Sequence, residues 1–124
     1  MIVDERMVTY INSLDEGHTA YLEELEAQAK QDHVPIIRRE MQSFLKFLLA
    51  AVRPVRILEV GTAVGFSALL MCEYNPVPCQ IVTIENYEKR IPIARENFKK
   101  AGRDSQIELI AGDAAEVRFE VYNS

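Results

Sequence analysis

The sequence predicts an α/β fold built on a parallel sheet, and two observations carry that expectation. Three apolar runs of strand length, "VRILEV" (55–60), "QIVTIE" (80–85) and "QIELIAGD" (106–113), alternate with two stretches of helical period. Strand–helix–strand–helix–strand at this spacing needs a crossover between successive strands, and crossovers give parallel neighbours.

The elements follow in chain order. "TAYLEELEAQAKQ", from Thr19, places Leu22, Leu25 and Ala29 at helical spacing, with Glu23, Glu24 and Glu26 expected on the outer side. "HVPIIRREMQSFLKFLLAAV" reads as a second helix, with Pro35 in its first turn and Pro54 as its stop. Its expected buried stripe is Ile37, Met41, Phe44, Leu45, Leu48 and Val52. "FSALLMCEY" (66–74) is the first crossover helix. The second, "EKRIPIARENFKKAG" (88–102), turns Ile91, Ala94, Phe98 and Ala101 inward and ends at Gly102. Residues 1–54 are thus expected as an N-terminal helical arm and 55–124 as a partial sheet domain.

Composition narrows the function classes. A chain of 124 residues, 48% hydrophobic and 27% charged, is one ordinary globular domain rather than a disordered segment. A net charge of −5 leaves little footprint for nucleic acid. No apolar run is long enough for a bilayer, and "MIVDER" lacks a secretory n-region. Cys72 and Cys79 have no His or Cys partners at zinc-site spacing, so they read as two free thiols in a reducing cytoplasm.

The chemistry concentrates in "RILEVGTAVGFSALL" (56–70). No Gly-Lys-Ser/Thr follows Gly61, which excludes a Walker-type phosphate loop. The dinucleotide fingerprint also fails, because Ala63 and Phe66 stand at its second and third glycines. Glu59 would repel a pyrophosphate yet suit a ligand with positive charge. S-adenosylmethionine carries a sulfonium, an ammonium, a carboxylate and an adenosine. Gly61 and Gly65 let the backbone come close, and the helix opening at Phe66–Ser67 offers amides and a hydroxyl to the carboxylate. Glu85 ends the second strand, where an acid takes both ribose hydroxyls; it is expected at the sheet's solvent-facing edge, contributing little to ligand-free stability. Asp113 ends the third strand, placed to read the adenine amino group. The plainer alternatives are that these acids are solvated, that Ser67 only caps a helix and that the glycines only shape a turn.

"RILEVGTAVGFSALLM", "VTIENYEKRIPIARENFKKAG" and "IAGDAAE" together resemble the successive cofactor motifs of bacterial catechol-O-methyltransferase-like enzymes. These are class I, S-adenosylmethionine-dependent O-methyltransferases, with a Rossmann-like sheet. The subgroup most similar methylates 5-hydroxyuridine in transfer RNA. The resemblance spans roughly residues 8–117. It implies that Glu59, Gly61, Gly65, Ser67, Glu85, Asp113 and Ala114 line the cofactor site, with Thr62, Ala63 and Phe66 shaping the loop around the methionine part. It also implies methyl transfer to a hydroxyl of transfer RNA or of a small catechol-like molecule; a homodimer is expected separately, from the helix faces and the exposed sheet edge.

Complete members of that family continue through further strands bearing two aspartates and an asparagine as metal ligands, and a lysine near the acceptor. "VRFEVYNS" does not resemble that continuation; Val117, Phe119 and Val121 alternate as a strand does. The chain therefore reads as truncated after its third strand. A divalent metal (Mg) is expected only in the complete enzyme, and no residue here is assigned as catalytic or as a metal ligand. The competing reading is an inactive cofactor-binding or dimerisation module. A nicotinamide-dependent oxidoreductase is disfavoured by Ala63 and Glu59.

The weaker features take bland readings. His18 and His33 are expected at helix boundaries or on the surface, although the resemblance places "HVPI" close to the cofactor. Arg38, Arg39 and Lys46 are expected on a solvated helix face rather than touching an anionic substrate such as transfer RNA. Lys99, Lys100 and Arg103 complement a helix C-terminus. Tyr21, Leu22 and Leu25 with the Leu48 stripe either pair two subunits or pack one helix on the other.

Overall fold

A computed structural model describes residues 18–116 together with 5–7 and 9. The alternating tail at Val117, Phe119 and Val121 lies outside the described residues. In chain order the elements are α1 (Ala20–Gln31), α2 (Arg39–Val52), β1 (Arg56–Val60), α3 (Phe66–Tyr74), β2 (Gln80–Glu85), α4 (Ile91–Lys100) and β3 (Ile107–Ala111). The three strands form one parallel sheet in the order β1-β2-β3. This is the α/β architecture expected from the alternation of periods, with β2 at the centre because it pairs on both sides.

α3 is apolar on nearly every side, and Phe66, Ala68, Leu69, Leu70, Met71 and Cys72 are all buried. A helix of that composition needs cover all round. The sheet supplies Ile81 and Ile107, α4 supplies Ala94 and Phe98, and α1 and α2 close the top with Leu22, Leu25 and Leu49. Leu22, Leu25 and Ala29 are buried as their spacing predicts. So are Ile91, Ala94 and Phe98, with Ala101 half-buried behind them. α4 ends in a Schellman arrangement: Gly102 takes φ +70°, and the Arg103 amide donates to the Phe98 carbonyl at 2.9 Å.

The second helix departs from expectation twice. It begins at Arg39, not at His33. His33 takes φ +56° as the left-handed residue closing α1, and the Val34 amide donates back to Ala29. The chain then runs irregularly through Pro35 to the extended N-cap Arg38, because a proline disfavours helix in the residue before it.

The buried face of α2 also differs, being Gln42, Ser43 and Leu49, with Leu45 partly covered. Phe44 and Leu48 lie at the surface beside Phe47, which is 59% exposed, and Val52 at 68%. Polar partners turn the helix this way. The Gln42 amide donates 2.8 Å bonds to both Glu26 Oε2 and the Ile37 carbonyl, and its Oε1 meets His18 Nε2. Since both amide protons are committed, His18 Nε2 is the donor to Gln42.

Glu26, expected outside, is therefore buried at 6% exposure and paired with Arg39 at 3.1 Å. Arg39 also reaches Glu23 at 3.3 Å, so it is ion-paired while its side chain stays 40% exposed. His18 stands at the helix boundary expected of it, one residue before the N-cap Thr19, and its ring meets Phe66 edge-on at 5.8 Å. His33 holds its expected boundary as well.

Candidate functional site

β1 leaves the sheet through the loop 61–65, whose conformation is unusual at three alternate residues. Gly61 has φ +90°, Ala63 +51° and Gly65 +92°. At Gly61 the turn needs only the left-handed conformation, since nothing stands within 4 Å of an added Cβ. At Gly65 both conformation and space are restricted: a Cβ there would sit 2.5 Å from Cε1 of buried Phe98. Gly65 is also the N-cap of α3, so Ser67 is not a capping side chain. Ala63 takes the backbone shape that the fingerprint's second glycine would supply. The case against a dinucleotide therefore passes from Ala63 to Glu59.

Two side chains hold the middle of this loop. Glu85 Oε1 accepts from the Ala63 amide at 2.8 Å, and the Asn97 side-chain amide donates to the Val64 carbonyl at 2.7 Å. Glu85 Oε2 accepts from the amides of Asn86 at 3.1 Å and Tyr87 at 3.0 Å. Glu85 is only 7% exposed. The expectation of a solvent-facing acid with little part in stability is thus corrected. Three backbone donors converge where the loop after β1 meets the loop after β2, and a buried carboxylate satisfies them all.

Glu59 lies one register step from the same corner, opposite Thr83 on β2. The Thr83 hydroxyl donates to Glu59 Oε1 at 2.6 Å, and Thr62 and Thr83 hydroxyls meet at 2.6 Å. With Thr83 donating to the carboxylate, Thr62 donates to Thr83. Burial pushes the Glu59 carboxyl from the usual 4.5 up to about 7; the Thr83 bond opposes the rise and the charge of Glu85 adds to it. The folded protein therefore holds a proton that the unfolded chain has released. That contribution to stability is complete below the ordinary carboxylate pKa and is lost as pH rises to about 7. The shift corresponds to about 3 kcal/mol. Unfolding titrations from pH 4.5 to 8 are expected to show wild type losing stability relative to Glu59→Gln across that window. Parallel curves for the two proteins would contradict the shift.

Asp113 stands two residues beyond β3, exposed, and its Oδ1 accepts the Ala115 amide at 2.8 Å, capping a turn over 114–116. Ala114 opens that turn. A cavity of about 210 Å³ is lined by Pro35, Ile36, Ile37, Gly61, Thr62, Ala63, Phe66 and Ser67. The structure thus brings Glu59, the loop and Glu85 to one corner, with Asp113 at the neighbouring strand end. Sequence reasoning missed Asn97 and Thr83, while the resemblance places "HVPI" (33–36) near the cofactor. The register of Thr83 with Glu59 was the one available signal.

Among the described residues no three His, Cys, Asp or Glu side chains gather as a metal-ligand set. No described helix is long and apolar enough to cross a membrane. Cys72 and Cys79 are free thiols, both buried.

Comparison with known proteins gives the same picture. Residues 11–123 match the O-methyltransferase family. A catechol O-methyltransferase of Mycobacterium tuberculosis is 31% identical over 78 residues, covering 63% of this chain and 36% of that protein. The chain therefore spans about a third of the length of this curated relative. Podospora anserina methyltransferase PaMTH1, solved with S-adenosylhomocysteine bound, superposes at TM-score 0.76 and 30% identity over 92% of this chain and 52% of that one. A Bacillus cereus O-methyltransferase, also solved with S-adenosylhomocysteine, shares the fold at TM-score 0.78 and 24% identity, over 96% of this chain and 55% of that one. With the family match running across nearly the whole sequence and the Rossmann-like fold shared with solved methyltransferases, the chain belongs to the O-methyltransferase family.

Proposed function

We propose that this chain is the S-adenosylmethionine-binding part of an O-methyltransferase. Glu59, Gly61, Thr62, Ala63, Gly65, Phe66, Ser67, Glu85, Asp113 and Ala114 line the cofactor in this reading. The observation that carries it is the pair of carboxylates beside the glycine loop. Burial, with the negative charge of Glu85 adding to it, pushes the Glu59 carboxyl up to about 7. A pyrophosphate would worsen the charge repulsion, whereas a sulfonium or ammonium relieves it. The α3 N-terminus, a few residues away, suits the ligand's own carboxylate.

Bound adenosylmethionine supplies an electrophilic methyl group for an acceptor oxygen. This chain's residues bind and orient: the loop presses its backbone on the methionine part, and Glu85 and Asp113 serve the ribose and adenine. α1 and α2 act as an arm packed on α3, with Pro35–Ile37 lining one cavity with the loop.

For the acceptor, a small catechol-like hydroxyl has better support than 5-hydroxyuridine of transfer RNA. Arg39 is engaged by Glu23 and Glu26, Arg38 lies 3.9 Å from Glu40, and the Lys46 ammonium sits 4.0 Å above the Tyr74 ring. A phosphate backbone would have to compete with these contacts. A homodimer is supported by the apolar surface of α2 at Phe44, Phe47, Leu48 and Val52. The same surface favours the second reading, an inactive module for cofactor binding or dimerisation. Buried reduced thiols at Cys72 and Cys79 accord with a cytoplasmic setting.

Calorimetric titration tests the reading. Adenosylmethionine and adenosylhomocysteine are expected to bind, and NAD to bind more weakly or not at all. Tighter binding of NAD would overturn it.

A further inference from the structure

We propose that Asn97 is a positioning residue for the cofactor loop, acting through the Val64 carbonyl; the inference rests on the adenosylmethionine reading of that loop. Three observations place it there. Its side-chain amide donates to Val64 O at 2.7 Å across 33 residues of sequence. The acceptor is a carbonyl, so the Asn97 amide must present its nitrogen. Val64 is almost fully buried, where a carbonyl without a donor is costly.

The next residue on α4, Phe98, fills the space that Gly65 leaves. Successive residues of α4 thus template successive residues of the loop. From the opposite side Glu85 holds the Ala63 amide at 2.8 Å. Ala63 and Val64 are pinned at one N–H and one C=O by side chains from two different elements. Between the pins Ala63 keeps φ +51°, a conformation that an L-residue with a Cβ leaves when it is free to do so. Removing the Asn97 pin lets this peptide relax, and the loop then no longer presents one shape to a ligand.

Asn97 also reports on the helical arm. The Tyr21 hydroxyl donates to the Asn97 backbone carbonyl at 2.9 Å. That bond ties α1 to α4 without touching the loop, so Tyr21 provides a control for stability alone.

The test compares Asn97→Asp, Asn97→Ala and Tyr21→Phe with wild type. Adenosylhomocysteine affinity is read by calorimetry at equal folded fraction, and amide exchange is read on the ligand-free protein. Asn97→Asp turns the donor into an acceptor facing Val64 O; Asn97→Ala removes it without charge and serves if the first variant does not fold. Both are expected to bind adenosylhomocysteine about tenfold more weakly, the equivalent of one lost hydrogen bond. Exchange at Ala63 is expected to quicken by about the same factor, while amides within β2 keep their rates. Tyr21→Phe is expected to lower the thermal midpoint and leave affinity unchanged. Wild-type affinity and wild-type Ala63 exchange in the Asn97 variants would overturn the proposal. If wild type itself binds no adenosylhomocysteine, the cofactor reading fails, and Ala63 exchange alone then decides whether Asn97 positions the loop.

Discussion

Glu85→Ala is expected to lower the unfolding free energy by about 3–5 kcal/mol and to abolish adenosylhomocysteine binding. Three partly buried amides, those of Ala63, Asn86 and Tyr87, all donate to this one buried carboxylate. A hydrogen bond to a charged group contributes about 1.5–3 kcal/mol, and alanine leaves three donors without their shared charged acceptor. Glu85→Gln separates the two roles. Its amide oxygen keeps one acceptor for the backbone, so part of the stability returns, whereas a ribose hydroxyl loses the charged acceptor site that the three amides leave free. Denaturant unfolding beside calorimetry measures both. A Glu85→Ala protein as stable as wild type would show that the three bonds contribute nothing.

Gly65→Ala is expected to cost about 2–5 kcal/mol, combining left-handed strain with overpacking. The new methyl group would lie 2.5 Å from a Phe98 ring atom, and Phe98 is a buried ring in the middle of the core rather than a flexible end. Phe98→Leu makes room, so the same glycine substitution in that background should cost less. A double-mutant cycle in unfolding free energy isolates this coupling. Additive effects would place the cost in the backbone conformation alone. A Gly65→Ala protein of wild-type stability would contradict both contributions.

Much of the sheet was legible because its signals are local. β2 and α3 have the bounds that periodicity gave, Gln80–Glu85 and Phe66–Tyr74, since each is a short apolar run framed by turn residues. α4 shows its buried face through Ile91, Ala94 and Phe98 for the same reason. The errors arose where a tertiary contact outweighed a local preference. Gln42 turned α2 because Glu26 and the Ile37 carbonyl needed its amide, and hydrophobic periodicity has no term for a buried polar partner. Pro35 fits a helix's first turn as well as an irregular segment, and only the packing of residues 35–37 over the glycine loop decides between them.

The site was half legible on the same grounds. Glycine spacing and strand-end acids are visible in one dimension, and they located the loop, Glu59 and Glu85. That Glu85 is a buried acceptor for three amides depends on two loops meeting in space. Asn97 was invisible because its partner stands in the loop after β1, 33 residues earlier. Ala63 misled in a different way. Its identity argued against a glycine conformation that it nonetheless adopts at φ +51°, held there by Glu85.

The central claim is that the corner formed by the glycine loop and the strand ends holds adenosylmethionine, and a titration followed amide by amide addresses it most directly. Adenosylhomocysteine added to the labelled protein is expected to shift the amide signals of Ala63, Gly65, Asn86 and Tyr87 saturably, with one common dissociation constant. Saturable binding that leaves those four signals in place, and moves instead residues of the groove lined by Ile91, Phe98 and Leu109, would contradict the account.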